Sequence, residues 1–373
     1  MKPFHLVPTI AEYPDFASFA AAEALDAQDL ILTNEYIYAP VIEALELGCQ
    51  TLFQEKFGGG EPTDTMVDAI LHELSGRSFR RIVAVGGGTI IDIAKVLCVA
   101  EPGAVTDDLY AKMPELQKHH ELIIVPTTCG TGSEVTNISI INRTRLGVKQ
   151  GLVSMQMYAD QAALISQMLM SLPYGVFATS SIDAMIHAVE SYLSPNGCAI
   201  SELFAEKALH VILHAWQEAV KQGGGDSWKQ SAAELLRASD FAGIAFGYAG
   251  CAAVHALSYP LGGTYHVAHG ESNQAMFAGV MQMYAKKAPH GKLEQLEALL
   301  ASILGVQPQI AMQALYTLME DILPRKPLHQ YGVKPEELEV FTDNVLQTQQ
   351  RLLGNNYVPL DRQEILEIYR SVY

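Results

Sequence analysis

Arg81-Ile82-Val83-Ala84-Val85-Gly86-Gly87-Gly88-Thr89-Ile90-Ile91-Asp92-Ile93-Ala94-Lys95 decides how the first half of the chain reads. A β-branched apolar run ends in three glycines, and apolar residues then recur with helical spacing from Ile90 to Ala100. The pattern is a strand, a tight turn and a helix. Glycines let the backbone approach a bound group, and a helix start offers free N–H donors at the positive end of its dipole. Phosphate binding is the natural use. A glycine triplet alone is as readily a plain strand-to-helix turn, and the stretch is not G-x-G-x-x-G, because Ile91 stands where the third glycine belongs.

Around this stretch, Asp29–Thr33, Glu121–Pro126 and Ile138–Asn142 read as strands, with a helical run near Val41–Leu47. Strands alternating with helices imply βαβ units and a mostly parallel sheet covered on both faces. Past Leu172–Pro173 the text becomes rich in Ala, Leu, Met, Glu and Gln at helical spacing, as in Ala205–Gln217 and Trp228–Phe241, with a break at Gly223–Gly225. Lys334 to Tyr373 reads as two further helices separated by Gly354–Pro359. The expected fold is an α/β domain over residues 1–172 and an all-α domain over 173–373, the boundary falling near 165–175.

Of the 373 residues, 49% are hydrophobic and 17% charged, enough for a large core. The 24 basic against 41 acidic residues give a net charge of −17, which speaks against nucleic acid and against an anionic membrane surface as partners. Ile82–Ala100, the most apolar stretch, is broken by the glycines, Asp92 and Lys95 and does not span a bilayer. The N-terminus lacks the apolar core of a secretory signal, and the five scattered cysteines fit a reduced, cytoplasmic protein.

A second polar loop, Pro126-Thr127-Thr128-Cys129-Gly130-Thr131-Gly132-Ser133-Glu134, follows the strand at 121–126. It offers several hydroxyls to a ribose or diphosphate, or is a polar turn with a helix N-cap at Ser133. Two such loops at strand ends of one sheet favour a nucleotide. In the helical half, Asp183 and His187 are an i, i+4 pair, and His255 and His269 lie among apolar and small residues. Each histidine alone is a core residue. Together they and the aspartate make a ligand set for Fe²⁺ or Zn²⁺, with Glu190 as the rival fourth ligand.

GGGTIIDIAK (86–95), PTTCGTGSE (126–134), DAMIHAVESY (183–192) and HALSYPLGGTYHVAHG (255–270) resemble, in order and over essentially the whole chain, the iron-containing (group III) alcohol dehydrogenases. The resemblance implies a dinucleotide-binding α/β domain and a helical metal-binding and substrate domain. Gly86, Gly87, Gly88, Thr89 and Asp92 would lie at the cofactor diphosphate, and Thr127, Thr128, Thr131 and Ser133 would contact the nucleotide. Asp183, His187, His255 and His269 would hold one divalent metal. HALSYPLGG…HVAHGES is most similar to 4-hydroxybutyrate dehydrogenases, which implies hydride transfer between NAD(H) and a small carboxylate-bearing alcohol or aldehyde. A homodimer or larger assembly is the family-level expectation.

The departures are specific. Many relatives relay the proton through a histidine four residues after the third ligand; Tyr259 stands there, and Tyr259 or His266 is the candidate relay. Many have Ala where this chain has Cys129. Members preferring NAD often end the second strand with Asp, which repels a 2′-phosphate, whereas here Asn34 precedes Glu35. NAD is expected, with NADP left open. Lys149 belongs either to the cofactor site or, with Arg143 and Arg145, to the candidate cations for a substrate carboxylate. Two other classes fit parts of the pattern. One is a metal- and NAD-dependent carbon–oxygen lyase of the dehydroquinate synthase type, although the helical half is poor in the clustered Lys and Arg its substrate needs. The other is a non-catalytic nucleotide-binding protein.

Overall fold

Arg81–Gly86 forms a strand with all six residues buried, and its neighbours are equally apolar. The computed structural model describes residues 3–373; Met1 and Lys2, which begin the N-terminal stretch read above, lie outside it. The described chain divides into two units, residues 5–172 and residues 3–4 with 173–373.

The first unit runs β1 (Thr9–Tyr13), α1 (Phe16–Ala22), β2 (Asp29–Thr33), α2 (Glu35–Val41), β3 (Gln50–Phe53), α3 (Asp64–Glu73), β4 (Arg81–Gly86), α4 (Gly88–Val99), α5 (Thr106–Ala111), β5 (Glu121–Pro126), β6 (Ile138–Arg143), β7 (Val148–Val153) and β8 (Gln161–Ile165). Six strands form one parallel sheet in the order β1-β8-β5-β4-β2-β3. Side-chain alternation sends Leu30, Leu32, Ile82, Ala84, Leu122 and Ile124 to the face covered by α3 and α4. Ile31, Val83, Val85, Ile123 and Val125 go to the opposite face, against Phe16 and Phe19 of α1. Burial on both faces is why these strands read as unbroken apolar runs.

Two local readings are corrected here. The helical run near Val41–Leu47 is instead α2, which starts at Glu35 and ends at Val41, followed by a single 3₁₀ turn at Glu43–Leu45. Pro40, with no N–H to donate, keeps that helix short. The strand at Ile138 does not join the parallel sheet. It pairs antiparallel with β7 in a separate hairpin, because the chain turns back through Gly147 at φ +66°.

At the other end of the sheet, Asp29 and Arg81 stand opposite each other in register on β2 and β4. The Arg81 guanidinium donates to both carboxylate oxygens, Nε to Oδ1 at 3.0 Å and Nη2 to Oδ2 at 2.9 Å, with both side chains buried. Burial works against the ionised acid, but the Arg81 bonds hold the Asp29 carboxyl below its ordinary value.

The second unit is helical: α6 (Tyr174–Leu193), α7 (Ala199–Lys221), α8 (Ala232–Ala249), α9 (Ala253–Tyr265), α10 (His269–Lys287), α11 (Lys292–Leu304), α12 (Pro308–Ile322), α13 (Glu337–Thr348), α14 (Gln350–Leu353) and α15 (Arg362–Ser371). The stretch from Trp228 is not one helix. Residues Gly225–Ser231 are 3₁₀ and α8 begins at Ala232, leaving the Trp228 ring stacked on Phe177 at 4.2 Å. Helix α6 is the spine of this unit. Every residue from Ser181 to Leu193 is buried, and α7, α8 and α10 pack around it. Among the described residues no single helix is long and apolar enough to cross a membrane, and the five cysteines form no disulfide.

Replacing Asp29 by Asn leaves the buried Arg81 charge with only the looser Glu23 carboxylate, 3.5 Å away, and should cost about 3 kcal/mol at neutral pH. Because the folded acid has the lower pKa, its contribution is complete above the unfolded value of about 4 and is lost as pH falls through the folded one. Denaturant unfolding of wild type and D29N across pH should therefore show a gap that is constant above about pH 4 and closes below it. A gap that widens in acid would contradict the assignment.

Candidate functional site

The glycine turn follows β4 and the threonine-rich loop follows β5, whose ends are level at Gly86 and Pro126. The chain passes from β3 back across β2 to β4, so its direction of travel reverses between β2 and β4, where ligands of such sheets gather. The glycines also serve the protein itself. A Cβ on Gly86 would meet the Ile90 side chain at 2.4 Å, and Cβ atoms on Gly87 and Gly88 would meet the Thr128 and Thr131 methyls at 3.3 and 3.0 Å. The triplet thus seats the second loop against the first, and Thr127 N–H completes the junction by donating to Gly86 O at 3.1 Å.

Several residues expected at the nucleotide have their polar atoms engaged within the protein. Thr89 Oγ1 donates to Gly60 O at 3.0 Å. Ser133 does not cap a helix; Gly132 occupies that position, and the Ser133 hydroxyl lies between Asp92 and Lys95. Asp92 accepts from Ser133 Oγ at 3.0 Å and from Ile140 N–H at 2.9 Å. The sequence pattern assigns Lys95 no role at the site. Fully buried, it spends its ammonium protons on Ser133 Oγ, Thr136 Oγ1 and Ile138 O at 2.7–2.9 Å, fastening the second loop and β6 to α4. Burial pushes the Lys95 pKa down, against the pull of Asp92 and Glu134. A lysine three residues after Asp92 on an otherwise apolar helix was the available signal.

In the helical unit, α6 carries Asp183 and His187, the first turn of α9 carries His255, and α10 begins at His269. The three Nε2 atoms lie 3.8, 3.4 and 3.6 Å from Asp183 Oδ1. These separations are too long for hydrogen bonds. Ligand atoms about 2.1 Å from a tetrahedral ion stand about 3.4 Å from one another, so the spacing around Asp183 suits a divalent cation. Asp183, His255 and His269 offer atoms all within 4.8 Å of one another, and His187 forms a second such group with His255 and Cys251. Burial opposes ionisation of Asp183, yet the imidazoles hold its carboxyl well below the usual range. Burial likewise opposes a charged His255, but Glu190 and Asp183 raise it to about 9. The field among these groups favours positive charge. The side chains of Asp183, His187 and His255 are at most 6% exposed and that of His269 is 36%, which leaves one open side for a substrate oxygen.

Backbone packing sets this convergence. A Cβ on Gly270 would lie 1.8 Å from Thr179 O, so only glycine lets the start of α10 approach α6 closely enough to place His269 beside Asp183. Glu190 is not a fourth ligand. One turn beyond His187, it accepts from Ala252 N–H at 2.8 Å and Val254 N–H at 2.6 Å, closing the start of α9, and its Oε2 lies 2.6 Å from His255 Nδ1. That bond keeps a proton on Nδ1 and directs Nε2 toward Asp183, ready to give its proton up to a cation. Asn273, one turn along α10 from His269, donates to Asp183 Oδ1 at 2.7 Å. Cys251 Sγ also stands within 4.8 Å of ring nitrogens of His187 and His255.

Tyr259 is one turn after His255, its ring centroid 6.2 Å from that of His269. His266 is exposed at the left-handed C-cap of α9, φ +55°, and makes no hydrogen bond or ring contact with the cluster. The cations considered for a substrate carboxylate are already committed. Arg143 pairs with Asp107 and lies over the Tyr110 ring, Arg145 pairs with Asp68 and Asp107, and Lys149 meets Glu61 at 2.5 Å.

Two family models cover these units: "Iron-containing alcohol dehydrogenase" matches residues 17–166, and "Fe-containing alcohol dehydrogenase family, C-terminal" matches 177–373. The chain belongs to the iron-containing alcohol dehydrogenase family. It is 43% identical, over 100% of both chains, to the 4-hydroxybutyrate dehydrogenase of Clostridium kluyveri. It is 33% identical to long-chain-alcohol dehydrogenase 1 of Geobacillus thermodenitrificans, over 84% of this chain and 79% of that protein. Among solved structures, 1,3-propanediol oxidoreductase superimposes with a TM-score of 0.86 at 25% identity, covering 100% of each chain.

Replacement of Glu190 by Gln should lower the affinity of the metal-free protein for a divalent ion by about 10- to 100-fold, read by metal titration. Unchanged affinity would reduce Glu190 to a closure of α9. Gly270→Ala should force α10 away from α6 and lower the unfolding midpoint together with bound-metal content, measured by thermal melting and elemental analysis.

Proposed function

We propose that the protein is a metal-dependent alcohol dehydrogenase that interconverts 4-hydroxybutyrate and succinate semialdehyde with NAD(H). The observation that carries the chemistry is the convergence of three imidazoles on Asp183. The substrate rests on the 43% identity shared over full length with a 4-hydroxybutyrate dehydrogenase. The relatives named above are dehydrogenases and oxidoreductases, and the lyase and binding-protein readings fall away.

In this reading, a divalent cation supplies a Lewis acid for the substrate oxygen, and NAD(H) supplies the hydride acceptor or donor. Asp183, His187, His255 and His269 would hold the cation, with Glu190 orienting His255 and Asn273 orienting Asp183. The first-turn N–H groups of α4, which have no intrahelical acceptors, would bind the cofactor diphosphate, and Thr127, Thr128 and Thr131 would contact the nucleotide. Asp92, Ser133 and Thr89 shape these loops through the bonds described above. Tyr259 passes the alcohol proton to water; His266, out in solvent, is the weaker candidate.

The purified protein should oxidise NADH with succinate semialdehyde, lose activity to a chelator and regain it with Fe²⁺ or Zn²⁺. His269→Ala should reduce both turnover and metal content, turnover by roughly two orders of magnitude or more. Absence of NADH consumption with any C3–C5 aldehyde, or an H269A variant with full metal content, would overturn the assignment.

A further inference from the structure

In dinucleotide folds an acidic side chain near the end of the strand beside the glycine-loop strand accepts a hydrogen bond from the adenosine ribose 2′-hydroxyl. Here the glycine loop follows β4, the neighbouring strand on the reversal side is β2, and β2 is followed by the uncharged Asn34. Beyond β2 lies β3, parallel and in register with Thr33 opposite Phe53, so the residues after the two strands are level. There Glu55 reaches across. Its Oε2 accepts from Asn34 Nδ2 at 2.8 Å and its Oε1 accepts from Glu35 N–H at 2.6 Å. Asn34 Nδ2 also donates to Gln54 Oε1 at 3.2 Å, and the Tyr36 hydroxyl donates to Asn34 Oδ1 at 3.3 Å.

From this arrangement we infer that Glu55 provides the carboxylate which β2 lacks, and that it selects NAD over NADP. The inference rests on the proposed dinucleotide site in the α/β unit. Asn34 acts as the bracket: its amide turns Nδ2 toward Glu55 and fixes the carboxylate at the end of β2. Glu55 is exposed, and each of its oxygens keeps a lone pair for another donor, such as a ribose hydroxyl. Desolvation works against the charge, but the Glu35 amide, the residue's own backbone and Asn34 hold the carboxyl below its ordinary value. A 2′-phosphate would meet this charge and that of Glu35. The adjacent cation, Lys56, lies over the Phe53 ring at 5.0 Å.

The test compares ADP-ribose with 2′-phospho-ADP-ribose by calorimetry on the full-length protein, alongside kcat/KM for NADH and NADPH. Wild type should prefer the unphosphorylated probe by about ten-fold or more. Glu55→Gln keeps an acceptor for Asn34 and removes the charge. It should narrow that preference by about ten-fold, mainly by binding the phosphorylated probe better. Adding Asn34→Asp to that variant should restore it. If Glu55→Gln weakens both probes equally, or leaves their ratio unchanged, Glu55 only closes the start of α2 and the inference fails. If wild type binds neither probe, the dinucleotide site itself is wrong, a separate result.

Discussion

Asp183 accepts one hydrogen bond from Asn273 and faces three imidazoles at 3.4–3.8 Å, with Asp183, His187 and His255 buried and His269 open to solvent on one side. Burying an acid and two of its three facing bases without direct hydrogen bonds between them is costly for a chain with nothing to bind. The cost is met by a second layer of contacts. Glu190 fixes the tautomer of His255 while closing α9, and the buried spine α6 fixes Glu190. Gly270 sets the approach of α10 to within van der Waals contact of the Thr179 backbone. The helical unit is therefore organised around a point where positive charge is welcome.

The α/β unit solves a different problem. Its two polar loops must be held still while leaving backbone N–H groups uncovered. Glycines make the fit, since a side chain at 86 would collide with Ile90 and side chains at 87 and 88 would crowd Thr128 and Thr131. The buried Lys95 then ties the second loop to α4 through three hydrogen bonds. A lysine in a motif that suggests phosphate binding is instead an internal fastening, because its ammonium has no path to solvent.

Periodicity made the sheet legible: Asp29–Thr33 and Glu121–Pro126 were readable as strands because both faces are buried and the runs are apolar between their ends. Ile138–Arg143 was readable as a strand but not as part of a hairpin, since its partner Val148–Val153 alternates only weakly with solvent. The short helix at Glu35 was hidden by Pro40 and by the apolar residues after it. Asp183 and His187 were visible as a helical pair, whereas their burial depended on α7, α8 and α10 closing around α6.

By itself the sequence determined the central strands of the sheet, the alternation of strands and helices before residue 172, the change to helix after it and the four motifs that mark the family, because these depend on residues near one another in the chain. Only the tertiary structure decided that Glu190 orients a ligand rather than acting as one, that Arg143 and Arg145 are spent on Asp107 and Asp68, and that Glu55 stands beside Asn34. Each of those facts joins residues 21 to 77 positions apart. A carboxylate's role is set by which donors reach it first, and only the packed backbone fixes that.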